Sequence, residues 1–200
     1  MRMDELKGYR SDPMHAVAGR EFDPHRMRTA NLRDAAMDRF GRFMEEHGFK
    51  TVGRGSFAGV YQKDGYPWLF KVFAHDPGYL WYVNWAAKHQ DNPNVPRIKG
   101  LPMRIAPDTY VIRLEKLDKL VRRHGNLTHG YEQLAYLLNG IESVDDLSKE
   151  DLQWISKEYP GVYDILRVIQ RAGNRFVVDI HGENIMMRGQ TPVIADPLVG

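Results

Sequence analysis

Cysteine is absent from all 200 residues, which excludes disulfides and thiolate metal sites. No apolar run approaches the roughly 18–20 residues that a membrane-spanning helix needs. The opening Met1-Arg2-Met3-Asp4-Glu5-Leu6-Lys7 lacks the apolar stretch of a secretory signal. An excess of one charge is also missing: 28 basic against 26 acidic side chains leave a formal +2, too little to argue for nucleic acid or a membrane as partner. There is no internal repeat and no low-complexity tract. What is present, 42% hydrophobic and 27% charged residues, suits a soluble globular chain of one domain or two small lobes, with the cytoplasm as its expected location.

Residues 1–30 show no period and read as an irregular arm. From Asn31 a helical pattern sets Leu32, Ala36, Phe40, Phe43 and Met44 on one face, with Gly48 as its stop. Strands are expected over Phe49–Val52, Gly59–Gln62 and Trp68–Phe73, the last two joined by a turn at Asp64-Gly65. Tyr79–His89 reads as a helix whose Trp81 and Trp85 pack the small lobe, Asn92–Pro96 as loop, and Tyr110–Leu114 as a further strand. Beyond Leu117 the pattern turns helical. Thr128 caps a helix to Leu138, Ser148 with Asp151 forms a capping box, and Pro160 opens a helix to about Ala172. Phe176–Val178 and Val193–Ala195 are short strand-like runs. The expected class is α+β, with two lobes.

Two clusters carry chemistry. Gly53-Arg54-Gly55-Ser56-Phe57-Ala58-Gly59-Val60-Tyr61 joins two expected strands, and glycines there allow close backbone approach to phosphates and offer N–H groups as anion donors. A strand follows the turn, where the dinucleotide-binding and Walker-type loops require a helix. Lys71 lies between apolar neighbours on the next strand, placed for the α- and β-phosphates of a nucleotide. An exposed edge lysine on an ordinary hairpin is the alternative.

The second cluster is Asp179-Ile180-His181-Gly182-Glu183-Asn184, followed by Asp196 at the end of Val193-Ile194-Ala195. Phosphoryl transfer needs a carboxylate to take the acceptor's proton and hard oxygen ligands for Mg²⁺. Asp179, Asn184 and Asp196 supply that set. A transition-metal site lacks a second histidine beside His181.

With these residues in place, the chain resembles the protein-kinase superfamily, and within it the early serine/threonine kinases of T-seven-type short-tailed bacteriophages. The stretches that carry the resemblance are His47–Tyr61, Phe70-Lys71-Val72, Asn94-Val95-Pro96, Tyr110–Leu117, Asp179–Met186 and Asp196-Pro197. It implies a minimal bilobal kinase-like fold with a small antiparallel-sheet N-lobe (about 31–114), a hinge (115–117) and a reduced helical C-lobe (118–200). It implies that Gly53, Gly55 and Ser56 cover the phosphates of ATP, that Val60 packs under the adenine, and that Lys71 pairs with the α/β-phosphates. Leu114 stands at the gatekeeper position, with Glu115–Leu117 offering backbone to the adenine edge. Asp179 is then the catalytic base, His181 stands near the γ-phosphate, and Asn184 and Asp196 hold Mg²⁺.

The departures from the family pattern are informative too. Ala58 replaces the third loop glycine, with Gly59 one place later. Val178 precedes Asp179 where many regulated kinases have Arg, and little chain follows Asp196-Pro197. Together these imply an enzyme not switched by activation-loop phosphorylation. Between Asp76 and Asp91 there is no acidic residue, so the helix glutamate that usually orients the lysine is missing, and Asp76 is its candidate substitute.

Three functions are therefore compared. The first is an ATP/Mg²⁺-dependent serine/threonine kinase, a phage early protein acting on host proteins such as RNA polymerase or RNA-processing enzymes in the host cytoplasm. The second is a pseudokinase-type module that inhibits a host protein by contact. The third is an aminoglycoside-type phosphotransferase, which shares the Asp-x-His-x-x-Asn loop but normally carries a larger helical region than 118–178 provides. Lys116, Lys119, Arg122 and Arg123 form a basic run, and Glu142, Asp145, Asp146, Glu150, Asp151 and Glu158 an acidic one. Both read as solvated helical faces.

Overall fold

A computed structural model describes residues 32–55, 57–120 and 129–200. The 1–30 arm, Ser56, Arg122, Arg123 and the expected cap Thr128 lie outside the described residues. The architecture is the expected mixed α+β. Among the described residues two units form, one from residues up to His75 with Pro102–Arg113, the other from Asp76–Leu101 with those from Leu114 onward.

In the first unit, helix α1 (Leu32–Glu46) packs on a sheet formed by β1 (Lys50–Arg54), β2 (Ala58–Gln62), β3 (Trp68–Ala74), β4 (Met103–Ala106) and β5 (Thr109–Glu115) in the order β1-β2-β3-β5-β4. The 3.6-residue period of α1 is realised as read: Ala36, Phe40, Phe43 and Met44 are buried, and Gly48 leaves the helix at φ 78°, a conformation that costs glycine nothing. Phe40, Phe43 and Met44 meet Phe49, Tyr61, Phe70, Val72, Ile105 and Val111 in one core. Phe49 and Phe70 cross at 90° with centroids 5.2 Å apart, an edge-to-face arrangement that suits the aromatic quadrupole. Phe49, expected to begin β1, is instead a core residue just before it. Strand β4 was not anticipated, because its four residues sit between Pro102 and Pro107, which read as loop.

The second unit begins with α2 (Pro77–Ala86). Asp76 caps it by accepting the Tyr79 N–H at 2.9 Å, and Pro77 occupies the first turn, so the helix starts two residues earlier than its aromatic pattern suggested. Trp81 packs on Phe176 and Trp85 stacks on His89. Both partners belong to this unit, so the expectation that these tryptophans fill the small lobe is corrected. Helices α3 (His129–Leu138), α4 (Lys149–Glu158) and α5 (Pro160–Ala172) follow, then the short strands β7 (Val177–Val178), β8 (Ile185–Arg188), β9 (Thr191–Ile194) and β10 (Leu198–Val199), with β6 (Asp118–Lys119) pairing to β8. The capping box at Ser148 is present, with Ser148 Oγ accepting from Asp151 N at 3.0 Å and Asp151 Oδ2 accepting from Ser148 N. A second box links Ser143 and Asp146. Part of the acidic run thus serves as caps rather than as a bare solvated face.

Helix α5 buries Val162, Ile165, Leu166 and Ile169, and its start is clamped by the Asn92–Pro96 loop. Asn92 Nδ2 donates to Gly161 O at 3.0 Å, while buried Asn94 donates to Pro192 O at 2.7 Å. A methyl at Gly161 would lie 2.3 Å from Asn94 Oδ1 and 2.5 Å from Asn92 Oδ1. Gly161→Ala is expected to destabilise the protein by about 1–3 kcal/mol, read as a lower urea midpoint at unchanged slope. Among the described residues, no helix is long and apolar enough to cross a membrane.

Candidate functional site

The first unit presents the glycine turn. Strands β1 and β2 pair antiparallel with Gly53 opposite Val60 and Arg54 opposite Gly59, and Gly55 N donates to Ala58 O at 2.8 Å to close the turn. A side chain at Gly55 would meet nothing within 4 Å, so the space over that backbone is open. Gly59 has a different reason to be glycine. A Cβ there would lie 2.9 Å from the Tyr61 hydroxyl, whose ring is held edge-on to Phe40 in the core. Gly59 therefore accommodates a tyrosine.

Lys71, on β3 between β2 and β5, pairs in register with Val60 of β2 and is 8% exposed. This excludes an exposed edge lysine. Ammonium groups are rarely buried without a charged or polar task. Arg54, between the loop glycines, reaches back to Asp38 on α1 at 2.8 Å.

In the second unit the loop after β7 is closed by its own backbone: Asn184 N and Ile185 N both donate to His181 O, at 2.8 and 3.2 Å. This folds Asn184 back toward Asp179. Asn184 Nδ2 donates to Asp179 O at 2.5 Å and stands 3.3 Å from Asp179 Oδ2. Two further backbone bonds fasten the Asp196 segment to this loop. Ala195 N donates to Asn184 O and Asp179 N to Pro197 O, both at 2.8 Å, while β10 pairs with β7 through Leu198–Val178 and Val199–Val177. Asp196 is thus bracketed on both sides by bonds to the residues five apart that the sequence singled out.

His181 Nε2 stands 3.7 Å from Asp179 Oδ1 and 3.1 Å from Asn184 Nδ2, and its Nδ1 faces Glu183 N at 3.3 Å. A neutral imidazole has one lone pair, so it accepts from one of these donors at a time.

With its amide nitrogen committed to Asp179, Asn184 keeps its carbonyl oxygen for a ligand. An amide oxygen and a carboxylate are hard donors, and Mg²⁺ typically takes one or two protein oxygens and completes its shell with water and phosphate. The donor set fits that ion. Among the described residues there is no cluster of three or more His, Cys, Asp and Glu side chains for a metal held by protein alone.

Sequence reading missed three elements of this site. Tyr79 and Tyr82, one turn apart on α2, are wholly buried. Burial, and then the nearby Asp196 charge, push both phenols well above their usual pKa, so they remain neutral donors. The third is Arg188, whose Nε donates to Glu115 Oε2 at 2.8 Å and whose other nitrogens bind Glu115 Oε1, Pro93 O and Val95 O. Glu115 also accepts from Arg97 N at 2.6 Å and gives its own N–H to Arg97 O. Leu114 is half-buried and bridges to Ile98, and Leu117 is half-buried. A groove of about 940 Å³, bounded by Tyr136, Ile141, Leu147 and Gly182, opens beside the Asp179 loop.

No protein-family model matches the chain, and no curated protein sequence does. Among solved structures it is similar to the Cydia pomonella granulovirus kinase PK-1, at 13% identity and a TM-score of 0.40 over 82% of this chain and 57% of that one. It is similar to the Mycobacterium tuberculosis PknI kinase domain at 15% identity and a TM-score of 0.34, over 74% and 58%. A ternary complex of streptomycin, ATP and APH(2″)-IIa matches at 12% identity and a TM-score of 0.36, over 86% and 73%. The chain therefore spans less than two thirds of the two kinases.

Proposed function

We propose that this chain is an ATP- and Mg²⁺-dependent phosphotransferase of the protein-kinase type, acting on serine or threonine of protein acceptors. The observation that carries this reading is the convergence of Asp179, Asn184 and Asp196 through the Asn184 Nδ2–Asp179, Ala195–Asn184 and Asp179–Pro197 bonds. In this arrangement Asp179 accepts the proton of the acceptor hydroxyl. Asn184 Oδ1 and the Asp196 carboxylate hold Mg²⁺, which when bound offsets the phosphate charge. Lys71 binds the α/β-phosphates, and the backbone at Gly53 and Gly55 covers them. Val60 packs under the adenine, while Leu114, the Glu115 carbonyl and Leu117 meet its edge. His181 orients the γ-phosphate. The resemblance in His47–Tyr61 and Asp179–Met186 supports a phage early protein whose acceptors are host proteins.

The one observation that favours a non-catalytic module is that α2 carries no acidic residue to orient Lys71. Incubating the protein with host lysate and γ-labelled ATP separates the readings. Label on proteins supports the kinase. Label on small metabolites points to a small-molecule phosphotransferase, and unlabelled lysate with host effects intact points to the contact inhibitor.

A further inference from the structure

Helix α2, which lacks the glutamate, is tied to the metal-binding segment instead. Tyr82 lies wholly buried and its hydroxyl donates to Ile194 O at 2.5 Å, two residues before Asp196. At the other end of the segment, Gly78 N donates to Gly200 O at 3.3 Å. A Cβ at Gly78 would lie 3.1 Å from the Val199 backbone, so the first turn of α2 lies directly against β10. The helix therefore grips residues 194–200 on both sides of Asp196, and Ala195 N–Asn184 O fastens the middle to the catalytic loop.

We infer that Tyr82 is a positioning residue for Mg²⁺ binding: it fixes the Asp196 carboxylate through Ile194, so that α2 holds the metal ligand permanently in place. This rests on the phosphotransferase reading above. The physical basis is that an unmet carbonyl in a buried site is costly, and a strand end so anchored does not swing away. Pro197, fixed in φ, adds to the same rigidity. Such a segment needs no phosphorylation to order it.

The test uses the full chain with a non-hydrolysable ATP analogue and Mn²⁺ as the paramagnetic probe, following bound Mn²⁺ by electron paramagnetic resonance. Tyr82→Phe, which keeps the ring and removes only the donor, is expected to raise the Mn²⁺ concentration for half-saturation about fivefold or more, with analogue affinity in metal-free buffer unchanged. Gly78→Ala, which displaces β10 from the opposite end, is expected to do the same and serves if Tyr82→Phe folds poorly. Wild-type Mn²⁺ affinity in both folded variants overturns the inference while leaving the nucleotide site standing. If wild type binds neither analogue nor Mn²⁺, the phosphotransferase reading falls and this inference falls with it.

Discussion

Asp179→Asn is expected to lower phosphoryl transfer by roughly 10²–10⁴-fold, the usual contribution of a general base. The substitution is nearly isosteric, and the bonds that build the loop do not need the carboxylate. Asp179 N still reaches Pro197 O, and Asp179 O still accepts from Asn184. Two weak contacts are altered, the 3.3 Å approach of Asn184 Nδ2 to Oδ2 and the 3.7 Å approach of His181 Nε2 to Oδ1, on a side chain 44% exposed. The loss should therefore appear in kcat, with the melting temperature and nucleotide affinity close to wild type. Single-turnover transfer measured beside a thermal melt checks this. Wild-type turnover in a folded Asp179→Asn protein would place the base elsewhere.

The second large effect is structural. Arg188 and Glu115 form an ion pair whose side chains are 27% and 14% exposed, and Arg188 also satisfies the carbonyls of Pro93 and Val95. Arg188→Met removes every one of these bonds and leaves a mostly buried carboxylate at the end of β5. Breaking a buried pair from one side typically costs about 3–5 kcal/mol, against a total stability of about 5–15 kcal/mol for a domain. Replacing both partners, Arg188→Met with Glu115→Leu, is expected to cost less than Arg188→Met alone, because no charge is then left stranded. Urea unfolding of the two variants decides. Equal losses would mean that the pair contributes through its shape rather than its charge.

The Asp179–Asn184 loop was legible in sequence because its geometry is local. Asp179, His181 and Asn184 lie within six residues, and the loop's own backbone bonds fold Asn184 onto Asp179. The amphipathic face of α1, the Gly48 stop, the Ser148 cap and the Pro160 start of α5 were legible for the same reason, since each depends on neighbours within a turn or two. What escaped was long-range. Arg188 contacts Glu115 across 73 positions and Tyr82 reaches Ile194 across 112. No spacing in the chain announces such pairs. Gly59 looked like a shifted phosphate-loop glycine, and only the placement of Tyr61 against Gly41 and Gly59 reveals its packing role. The short strands β6, β8 and β10 were missed because two to four residues carry too little alternation to be recognised alone.

The most direct test of the proposed site is Mn²⁺ anomalous scattering from crystals grown with an ATP analogue. The account predicts a peak within bonding distance of Asn184 Oδ1 and the Asp196 carboxylate, lost in an Asp196→Ala crystal. Nucleotide bound with no metal at these two residues, or a metal held by other side chains, would contradict it.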